Sequence, residues 1–502
     1  MTLRLFNTLT GEMDAVTPAE GDVLRMYACG PTVYDYGHIG NFRTFLQLDV
    51  LRRFLKLTGM KLRHVMNITD VDDKIIRNAA AAGVTIGEYT AQFEKAFFDD
   101  LETLRVERPE VMARATEHIP RMVELVQRLA AAGAAYKAED GSWYFRLAAF
   151  AEYGKLSKKD LSGMEDGARV DVDEYEKDSA RDFALWKAAK PGETSWETAI
   201  GRGRPGWHIE CSAMAMEYLG ESFDLHAGGE DLIFPHHENE IAQSESVTHK
   251  EFARIWMHVR FLLVDGRKMS KSEGNFYTLR DLLLKGYKAS AIRLALISVP
   301  YRHQMNFTFE GLAEATSAVE RLRTFRERLK TGKFAEGSSA DGSFADGENS
   351  LLKAAAKKAR EEFMAALADD LNTAEARAPI FELLRAANTA MDQGELRAGD
   401  RDAILAVLKD FDAVFDVLED GDAEATRRAL EWAEKEGRMS EVAPELVARQ
   451  GLTDAAIAAL VEERELARKQ RNFARADEIR KELAEKGVVI EDSKDGVRWK
   501  RR

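Results

Sequence analysis

The first residues that could do chemistry lie at a break between an apolar run and a helical pattern. Cys29 and His38 lie in this break. It follows the mainly apolar residues 23–27 and precedes the periodic segment Phe42–Leu57. In a parallel sheet, the loop after a strand binds ligands, and the next helix start offers N–H groups to phosphates. A histidine beside a glycine there would lie against a nucleotide, although His before Gly more often marks an ordinary turn.

The chain contains only two cysteines, Cys29 and Cys211. Further on, His236 and Glu240 lie four residues apart, and a helix that begins at the preceding proline would place them on one face. Two thiolates, an imidazole and a carboxylate would make a zinc site of mixed softness. Spacing alone does not decide between His236 and His237 as the ligand. The alternatives are a disulfide, or two buried thiols beside a solvated helix face, but this chain favours metal binding.

A third candidate is the glycine-bounded segment Asp265–Asn275, which contains Lys268 and Lys271. Such a loop could close over a polyphosphate, and its ammonium groups would neutralise the charge that grows on a leaving pyrophosphate. A run of Lys and Ser is usually a solvated loop. The order Lys-Met-Ser-Lys-Ser is much more specific than this composition.

The elements that must position these residues follow an α/β pattern. From Arg43 to about Asp100, helices alternate with a short apolar strand, which indicates a parallel α/β domain. Residues 106–204 are less regular and are interpreted as an insertion, because β/α character returns in Gly206–Asp265. After Lys288 the pattern is almost wholly helical. The predicted fold class is α/β, with a split Rossmann-type nucleotide-binding catalytic domain carrying an insertion, then an α-helical bundle and a small C-terminal domain.

Composition places the chain among ordinary globular proteins. It has 502 residues, of which 45% are apolar and 31% charged. The N-terminus lacks the features of a signal peptide and no long uncharged apolar run occurs, so we expect a cytoplasmic protein with no membrane partner. The net charge of −14 argues against bulk attraction to nucleic acid. In residues 461–502, however, basic side chains outnumber acidic ones, which is compatible with a phosphate-bearing partner.

Two short motifs carry a resemblance to a known family. The segments His38–Asn41 and Lys268–Ser272 together resemble the signature pair of class I aminoacyl-tRNA synthetases. The surrounding segments Cys29–Tyr34, Gly206–Ser212 and Phe234–Glu240 resemble the cysteinyl-tRNA synthetase family specifically. This resemblance extends over nearly the whole chain.

The resemblance implies roles for individual residues. The family's zinc ligands correspond to Cys29, Cys211, His236 and Glu240. Its cysteine-binding positions correspond to Thr69, Trp207, His226 and Asp231. Its ATP-handling positions correspond to His38, Gly40, Asn41, Lys268 and Lys271. Among these, the resemblance implies catalytic roles for His38, Lys268 and Lys271. Asn41 departs from the family, because the usual residue there is histidine.

The C-terminal region carries the implied anticodon contacts. They correspond to Arg468, Phe473, Asp477 and Asp492. Phe473 stands where the family commonly has tryptophan. Phenylalanine keeps an aromatic face for base stacking and loses only the indole N–H.

The resemblance implies an ATP-dependent ligase that activates L-cysteine as cysteinyl-adenylate and transfers it to the 3′ end of tRNA(Cys). One zinc ion per chain would select the amino acid, because a thiolate is a far better zinc ligand than the neutral hydroxyl of serine. Magnesium would accompany ATP. The family resemblance also suggests a monomer.

The resemblance implies a catalytic domain in two halves, 1–105 and 205–265, separated by an acceptor-binding insertion, 106–204. The loop that contains Lys268 and Lys271, called the lysine loop below, follows with a stem-contact region in 266–310. A tRNA-binding helical bundle, 311–420, and an anticodon domain, 440–502, complete the chain.

Two other functions remain open from the sequence. A ligase that couples cysteine to an amino sugar in thiol-cofactor (mycothiol-type) biosynthesis shares the catalytic half of the family. Its relatives lack the long C-terminal region, so residues 282–502 favour tRNA as the acceptor. A non-catalytic zinc- and tRNA-binding relative is the second alternative. The intact His38, Lys268 and Lys271 argue against it.

Overall fold

The structure is a computed structural model that describes most of the chain. The described residues are 2–159, 182–331, 344–449, 454–485, 488–493 and 496–501. Two compact units are present: residues 1–278 with 290–420, and residues 279–289 with 421–502. Among the described residues, no helix combines the length and apolar character needed to cross a membrane.

The strands are, in chain order, β1 (Arg4–Asn7), β2 (Glu12–Ala15), β3 (Val23–Ala28), β4 (Lys61–Ile68), β5 (Val111–Arg114), β6 (Ala135–Lys137), β7 (Trp143–Phe145), β8 (Phe183–Ala188), β9 (Gly203–Pro205), β10 (Phe223–Gly229), β11 (Ala253–Val259), β12 (Leu262–Val264), β13 (Arg267–Lys268), β14 (Met305–Phe307), β15 (Val488–Ser493) and β16 (Gly496–Arg501).

The helices are α1 (Ile39–Leu57), α2 (Asp73–Ala82), α3 (Ile86–Thr103), α4 (Ile119–Ala131), α5 (Trp207–Leu219), α6 (Glu238–Thr248), α7 (Leu279–Leu284), α8 (Ala289–Leu296), α9 (Phe309–Thr331), α10 (Ser350–Ala368), α11 (Thr373–Asp392), α12 (Ala398–Phe415), α13 (Asp422–Lys435), α14 (Pro444–Arg449), α15 (Asp454–Lys469) and α16 (Phe473–Glu485).

A five-stranded parallel sheet forms the centre of the first unit. Its strand order is β11-β10-β3-β4-β5, and every neighbouring pair is parallel. The strands are rich in apolar residues because helices cover a parallel sheet on both faces. Strand β3 continues through a loop into α1, which leads to β4, the neighbour of β3 on one side. Strand β10 is the neighbour of β3 on the other side. The carboxyl ends of β3 and β10 therefore open onto the same crevice, where open α/β sheets bind ligands.

The predicted start of the insertion at residue 106 is corrected by β5. Val111–Arg114 pairs in parallel with β4, in the register Val65↔Val111, so this segment belongs to the central sheet. The strand has only four residues and one fully buried side chain, which explains why its periodicity is too weak to mark it. Strands β6 to β9 then form a separate antiparallel sheet within the predicted range. Residues 160–181 of the predicted insertion lie outside the described residues.

The helical region after α8 is tied to the sheet through a buried arginine. Arg293 on α8 donates to the Asp49 carboxylate on α1 at 2.6 Å. It also donates to the carbonyl oxygens of Leu104, at 2.8 Å, and Phe415, at 2.6 Å. A fully buried guanidinium is stable only when it is paired and hydrogen-bonded. This residue therefore fixes α8 and the end of α12 against α1 within the first unit.

The second unit combines helices with a small hairpin. Helices α15 and α16 pack against the antiparallel pair β15-β16. The shared core is formed by Ile457, Ile479, Leu483, Val488 and Ile490. Residues 279–289 also belong to this unit, although we predicted them to lie in the stem-contact region 266–310. The remaining predicted domain boundaries stay predictions.

Candidate active site and metal centre

The four predicted metal ligands meet in one buried cluster. Cys29 follows β3, Cys211 lies on α5, Glu240 lies on α6, and His236 lies in the turn before α6. The Cys29 and Cys211 sulfur atoms are 3.8 Å apart. Cys29 Sγ lies 3.7 Å from Glu240 Oε1, and His236 Nε2 lies 3.0 Å from the same oxygen. All four ligand atoms lie within 4.8 Å of one another.

These distances fit the edges of a small coordination tetrahedron. Zinc–sulfur bonds of about 2.3 Å separate two sulfurs by about 3.8 Å in tetrahedral geometry, and a sulfur from a carboxylate oxygen by about 3.6 Å. The two cysteines and Glu240 match both values. Helix α6 begins at Glu238 and not at the proline, so the His236–Glu240 contact comes from the preceding turn. The donor set of the cluster therefore fits zinc.

A second set of donors shares half of this cluster. Cys29 Sγ also lies 3.3 Å from His237 Nε2, and His226 Nε2 lies 2.9 Å from Glu240 Oε2. These four residues form another group with metal-ligand spacing. His237 Nδ1 is hydrogen-bonded to His258 Nε2 at 2.8 Å, which fixes its ring. The geometry therefore allows either His236 or His237 to be a ligand, and the spacing in the sequence leaves the same two alternatives.

The charges in the cluster favour a cation. Burial raises the pKa of the Cys29 thiol well above its ordinary value, and the neighbouring Cys211 adds to this effect. Burial would also raise the pKa of Cys211, but the hydrogen bond from Cys29 and the charge of His236 lower it to about 6. Burial opposes ionisation of Glu240 too, yet His226 and His236 lower its pKa to about 2. Burial opposes protonation of His236, but Cys211 and Glu240 raise its pKa to about 10. At neutral pH one thiolate and one carboxylate therefore share the buried site with a single imidazolium, which leaves the four ligand side chains with a net negative charge.

Two of the four predicted cysteine-binding residues, Trp207 and His226, contact residues of this cluster, and Thr69 contacts Glu210, the neighbour of Cys211 in the chain. Trp207 is 38% exposed, and its ring lies 4.3 Å from the ring of His236. His226 bonds to Glu240 and is buried against the ring of Trp256. The Thr69 hydroxyl donates to Glu210 at 3.0 Å.

The fourth cysteine-binding residue lies at the edge of the site. Asp231 is exposed in the turn that follows β10. It lies close enough to His236 and Lys268 for their charges to act on its carboxylate. Asp231 is therefore within electrostatic range of both the metal cluster and the lysine loop.

His38 caps the helix that faces the crevice. Its Nδ1 accepts a hydrogen bond from the Asn41 backbone N–H at 3.1 Å, and the Asn41 side-chain oxygen accepts one from the His38 N–H. Asn41 thus closes a capping box, a role that the sequence did not reveal. Burial lowers the pKa of His38 to about 4, and the charge of Lys271 adds to this. The neutral ring accepts at Nδ1, so its proton is on Nε2, where it can donate to a phosphate oxygen.

Gly40 lets the lysine loop approach this helix. A Cβ atom at Gly40 would lie 3.0 Å from the His38 ring and 3.4 Å from the methyl group of Met269. The two signature segments are therefore in contact around a position where a side chain would crowd both. This contact brings the lysine loop to the start of α1.

The two loop lysines are both exposed, but they differ in their partners. Lys271 Nζ lies 2.5 Å from the Asp35 carboxylate and 5.2 Å from the centre of the Phe276 ring. Lys268 lies on the short strand β13. Both ammonium groups are therefore accessible from the side of the loop that faces solvent.

Sequence reasoning missed the residue that holds this loop. Asn275 is buried, its Oδ1 accepts from the Ser270 N–H at 2.9 Å, and its Nδ2 donates to the Lys268 carbonyl at 3.1 Å. One side chain therefore fixes the backbone on both sides of Met269. Its only signal in the sequence is an amide after a glycine, which is typical of many turns.

A buried carboxylate next to the metal cluster was also missed. Glu238 accepts backbone hydrogen bonds from Gly154 at 2.9 Å, Leu156 at 3.4 Å and Ser157 at 2.8 Å. It thereby anchors the end of the segment before residue 160 to α6. A glutamate in an acidic helix start carries no pattern that predicts such contacts.

The predicted anticodon residues lie in the second unit. Phe473 is 61% exposed at the start of α16, and Asp477 is exposed on the same helix. Arg468 is exposed on α15 and lies 3.5 Å from Glu465. The backbone of Asp492 lies in β15, and its side chain is outside the described residues.

Three family matches cover most of the chain. Residues 15–317 match the family described as tRNA synthetases class I (C) catalytic domain. Residues 362–419 match the DALR domain, and residues 450–499 match the cysteinyl-tRNA ligase anticodon binding domain. These matches confirm the predicted fold class, including the small C-terminal domain.

Individual proteins are similar over the whole length. The cysteine–tRNA ligase of Koribacter versatilis is 58% identical over 505 residues, and that of Solibacter usitatus is 53% identical over 502 residues; both matches cover 100% of each chain. Methionyl-tRNA synthetase of Mycobacterium tuberculosis in complex with methionyl-adenylate shares the fold, with a TM-score of 0.57 at 17% identity over 88% of this chain and 96% of that chain. The chain belongs to the cysteine–tRNA ligase family of class I aminoacyl-tRNA synthetases.

Proposed function

We propose that the protein is a cysteine–tRNA ligase that selects its amino acid at the buried metal cluster. It uses ATP, which arrives with magnesium, to convert L-cysteine to cysteinyl-adenylate, and it then transfers the cysteinyl group to the 3′ end of tRNA(Cys). The observation that carries this proposal is the cluster of two thiols, an imidazole and a carboxylate beside the nucleotide crevice. The names of the full-length relatives support the same activity.

Selection against serine requires more than pocket size. Cysteine and serine are near-isosteres, and shape alone discriminates such pairs poorly. Cys29, Cys211, His236 and Glu240 would hold zinc, which supplies a soft Lewis acid with a strong preference for a thiolate over a neutral hydroxyl. Around it, Trp207 covers His236 and Thr69 is held by Glu210, so both can shape the pocket for a small amino acid.

Activation of cysteine needs no protein nucleophile. The substrate carboxylate attacks the α-phosphorus of ATP, the bond to the β-phosphate oxygen breaks, and pyrophosphate leaves with the electron pair. His38 donates its Nε2 proton as a hydrogen bond to a phosphate oxygen and stays neutral at pH 7. Lys268 and Lys271 neutralise the charge that develops on the leaving group. Lys271 exchanges its contact with Asp35 for the phosphates.

Transfer to tRNA uses the second unit as well. The ribose hydroxyl of the terminal nucleotide attacks the adenylate carbonyl, and AMP leaves. Arg468, Phe473, Asp477 and Asp492 are proposed to contact the anticodon. We propose that the chain works as a monomer, since both chemical steps use residues of one chain. The activity implies that the protein acts in the cytoplasm.

The test is cysteine-dependent exchange of radioactive pyrophosphate into ATP. Wild-type protein is expected to catalyse exchange with cysteine and not with serine, and Lys271→Ala is expected to abolish it. Lys95→Ala, a surface substitution on α3, is the matched control and should keep wild-type exchange. If folded, zinc-loaded protein catalyses no exchange, the proposed ligase activity is refuted. Exchange without charging of purified tRNA(Cys) would favour the amino-sugar ligase instead.

A further inference from the structure

A crevice in the helical region of the first unit has no role in the site described above. It has a volume of about 410 Å³ and lies between α8, β14, α9 and α11. Sites for small ligands have volumes of roughly 300–1,000 Å³, so the crevice could hold a ligand of nucleotide size.

Small side chains keep this crevice open. Ala315, Ala318, Ala374 and Ala378 line it from the two long helices. The apolar residues Val299, Phe307 and Leu312 also line it. Ala374 and Ala378 are exposed, so the crevice can be reached from solvent. The lining therefore offers apolar side chains against which a ring could lie.

Two arginines line the same crevice without carboxylate partners. Among the described residues, neither Arg321 nor Arg377 lies within ion-pair distance of a carboxylate, in contrast to Arg326 and Arg328 on the same α9 helix. Arg377 donates to the Ser298 carbonyl at 3.3 Å. Its Nε is buried and has no hydrogen-bond partner in the part of the chain that the structure describes.

The side chain of Arg321 is already held in place. The guanidinium of Arg321 lies 4.9 Å from the centre of the Phe381 ring, so its orientation is restricted before any ligand binds. Glu314 is the one carboxylate among the described residues that line the crevice. Two guanidinium groups against one carboxylate leave a local positive charge in a chain whose net charge is −14.

We propose that this crevice binds a phosphate-bearing ligand of nucleotide size, with Arg321 and Arg377 on the phosphate and the apolar side chains against the ring. Arginine suits this role because its planar fork donates two parallel hydrogen bonds to phosphate oxygens. The buried Nε of Arg377 would gain an acceptor that the protein does not supply. The ligand is either a nucleotide of the bound tRNA, a source that rests on the proposed function, or a free nucleotide.

The experiment compares Arg321→Gln/Arg377→Gln with Arg385→Gln. Arg385 is exposed on α11 outside the crevice, so its substitution removes one positive charge from the helix that carries Arg377 and leaves the crevice unchanged. The readouts are the KM for tRNA(Cys) in charging, the number of AMP molecules bound per chain by calorimetry, and pyrophosphate exchange. Exchange should be unchanged within about twofold, because the cysteine and ATP sites are untouched.

Two results support the proposal and identify the source. If the ligand is part of tRNA, the double variant raises the KM for tRNA about tenfold or more, as expected from lost charge-assisted hydrogen bonds. If the ligand is a free nucleotide, the KM is unchanged and the wild type binds one more AMP per chain than the double variant. In both cases Arg385→Gln behaves as wild type.

An unchanged KM together with an unchanged AMP stoichiometry would overturn the proposal. If the double variant does not fold, Arg321→Gln alone decides, because Arg321 is exposed and its substitution removes no hydrogen bond of the core. If the crevice binds no nucleotide, the wild type still catalyses pyrophosphate exchange. If the proposed function is wrong, the wild type shows no exchange. The two outcomes are therefore distinguishable.

Discussion

The two thiols of the metal cluster share one buried environment and differ in proton affinity. Burial raises the pKa of Cys29, whereas the hydrogen bond from Cys29 and the charge of His236 bring the pKa of Cys211 down to about 6. Cys211 therefore ionises first, and Glu240 is already ionised. A soft and a hard anionic donor are thus ready at neutral pH, which is the mixed set that suits zinc.

The identity of the imidazole ligand can be tested residue by residue. We expect His236→Asn to lose most of its zinc on dialysis against a chelator, because it removes a ligand atom. His237→Asn should lose less, because substitutions outside the ligand set reduce metal affinity by about 10- to 100-fold. Zinc per chain is measured by atomic absorption, with circular dichroism as the control for folding. The reverse order would mean that His226 and His237 are the ligands.

A buried histidine far from the metal predicts a pH dependence of stability. His64 lies on β4, and neither ring nitrogen has a hydrogen-bond partner among the described residues. Burial lowers its pKa to about 3, and the charge of Arg52 acts in the same direction. The unfolded chain therefore binds one more proton between pH 6.5 and 3. Stability from this group is fully present above pH 6.5 and is lost as the pH falls, by up to about 1.4 kcal/mol per unit.

The check is the thermal unfolding midpoint of the wild type and of His64→Leu at pH 7 and pH 5. Leucine cannot take up the proton, so the midpoint of the variant should fall less than that of the wild type over this interval. Equal falls for both proteins would contradict the assignment to His64.

At the level of elements, the course of the lysine loop depends on one buried side chain. Asn275 joins the Lys268 carbonyl to the Ser270 N–H, so the backbone between the two lysines has a fixed course. Both lysine side chains are exposed beyond this backbone. Such an arrangement orients the ammonium groups while it allows the exchange from Asp35 to phosphates.

Asn275→Ala should therefore impair activation without affecting the metal. Loss of two hydrogen bonds of about 1 kcal/mol each predicts a fall in kcat/KM for ATP of about tenfold or more in pyrophosphate exchange. Asn78→Ala, which removes a side-chain bond to Tyr89 on another helix, is the matched control. Zinc content should match the wild type in both variants. Unchanged ATP kinetics in Asn275→Ala would show that the loop keeps its course without this residue.

At the scale of the whole molecule, the two chemical steps can be separated. Activation uses residues of the first unit alone, whereas the proposed anticodon contacts lie in the second unit. Phe473→Ala should raise the KM for tRNA(Cys) about tenfold, because one stacked base is worth about 1–3 kcal/mol. Pyrophosphate exchange should not change.

Phe473→Trp is the conservative variant and should keep the wild-type KM for tRNA. Leu466→Ala removes another exposed apolar side chain of the same unit and serves as the control. If Leu466→Ala and Phe473→Ala raise this KM equally, the effect comes from the packing of the unit and not from base stacking.

Motifs and elements formed by neighbouring residues could be predicted from the amino-acid sequence. The His38–Asn41 and Lys268–Ser272 segments are each continuous, so their residues stay together in any fold. The same holds for the strand and helix around the first break, because periodic burial of apolar side chains acts along the chain: the predicted helix Phe42–Leu57 is α1, Ile39–Leu57. Periodicity was enough to predict the split α/β class, and the short motifs carried the resemblance to the family.

Sites and strand pairings built from distant segments became visible only in the folded chain. Cys29 and Cys211 are 182 positions apart, and only the sheet brings their sulfurs to 3.8 Å. The placement of β5 in the central sheet depends on pairing with β4, because four residues carry too little periodicity of their own. The hydrogen bonds of Asn275 and the positions of Arg321 and Arg377 in the crevice have no pattern in the sequence. Hydrogen bonds and ion pairs depend on atoms that meet in space, and their distances are set when the whole chain packs.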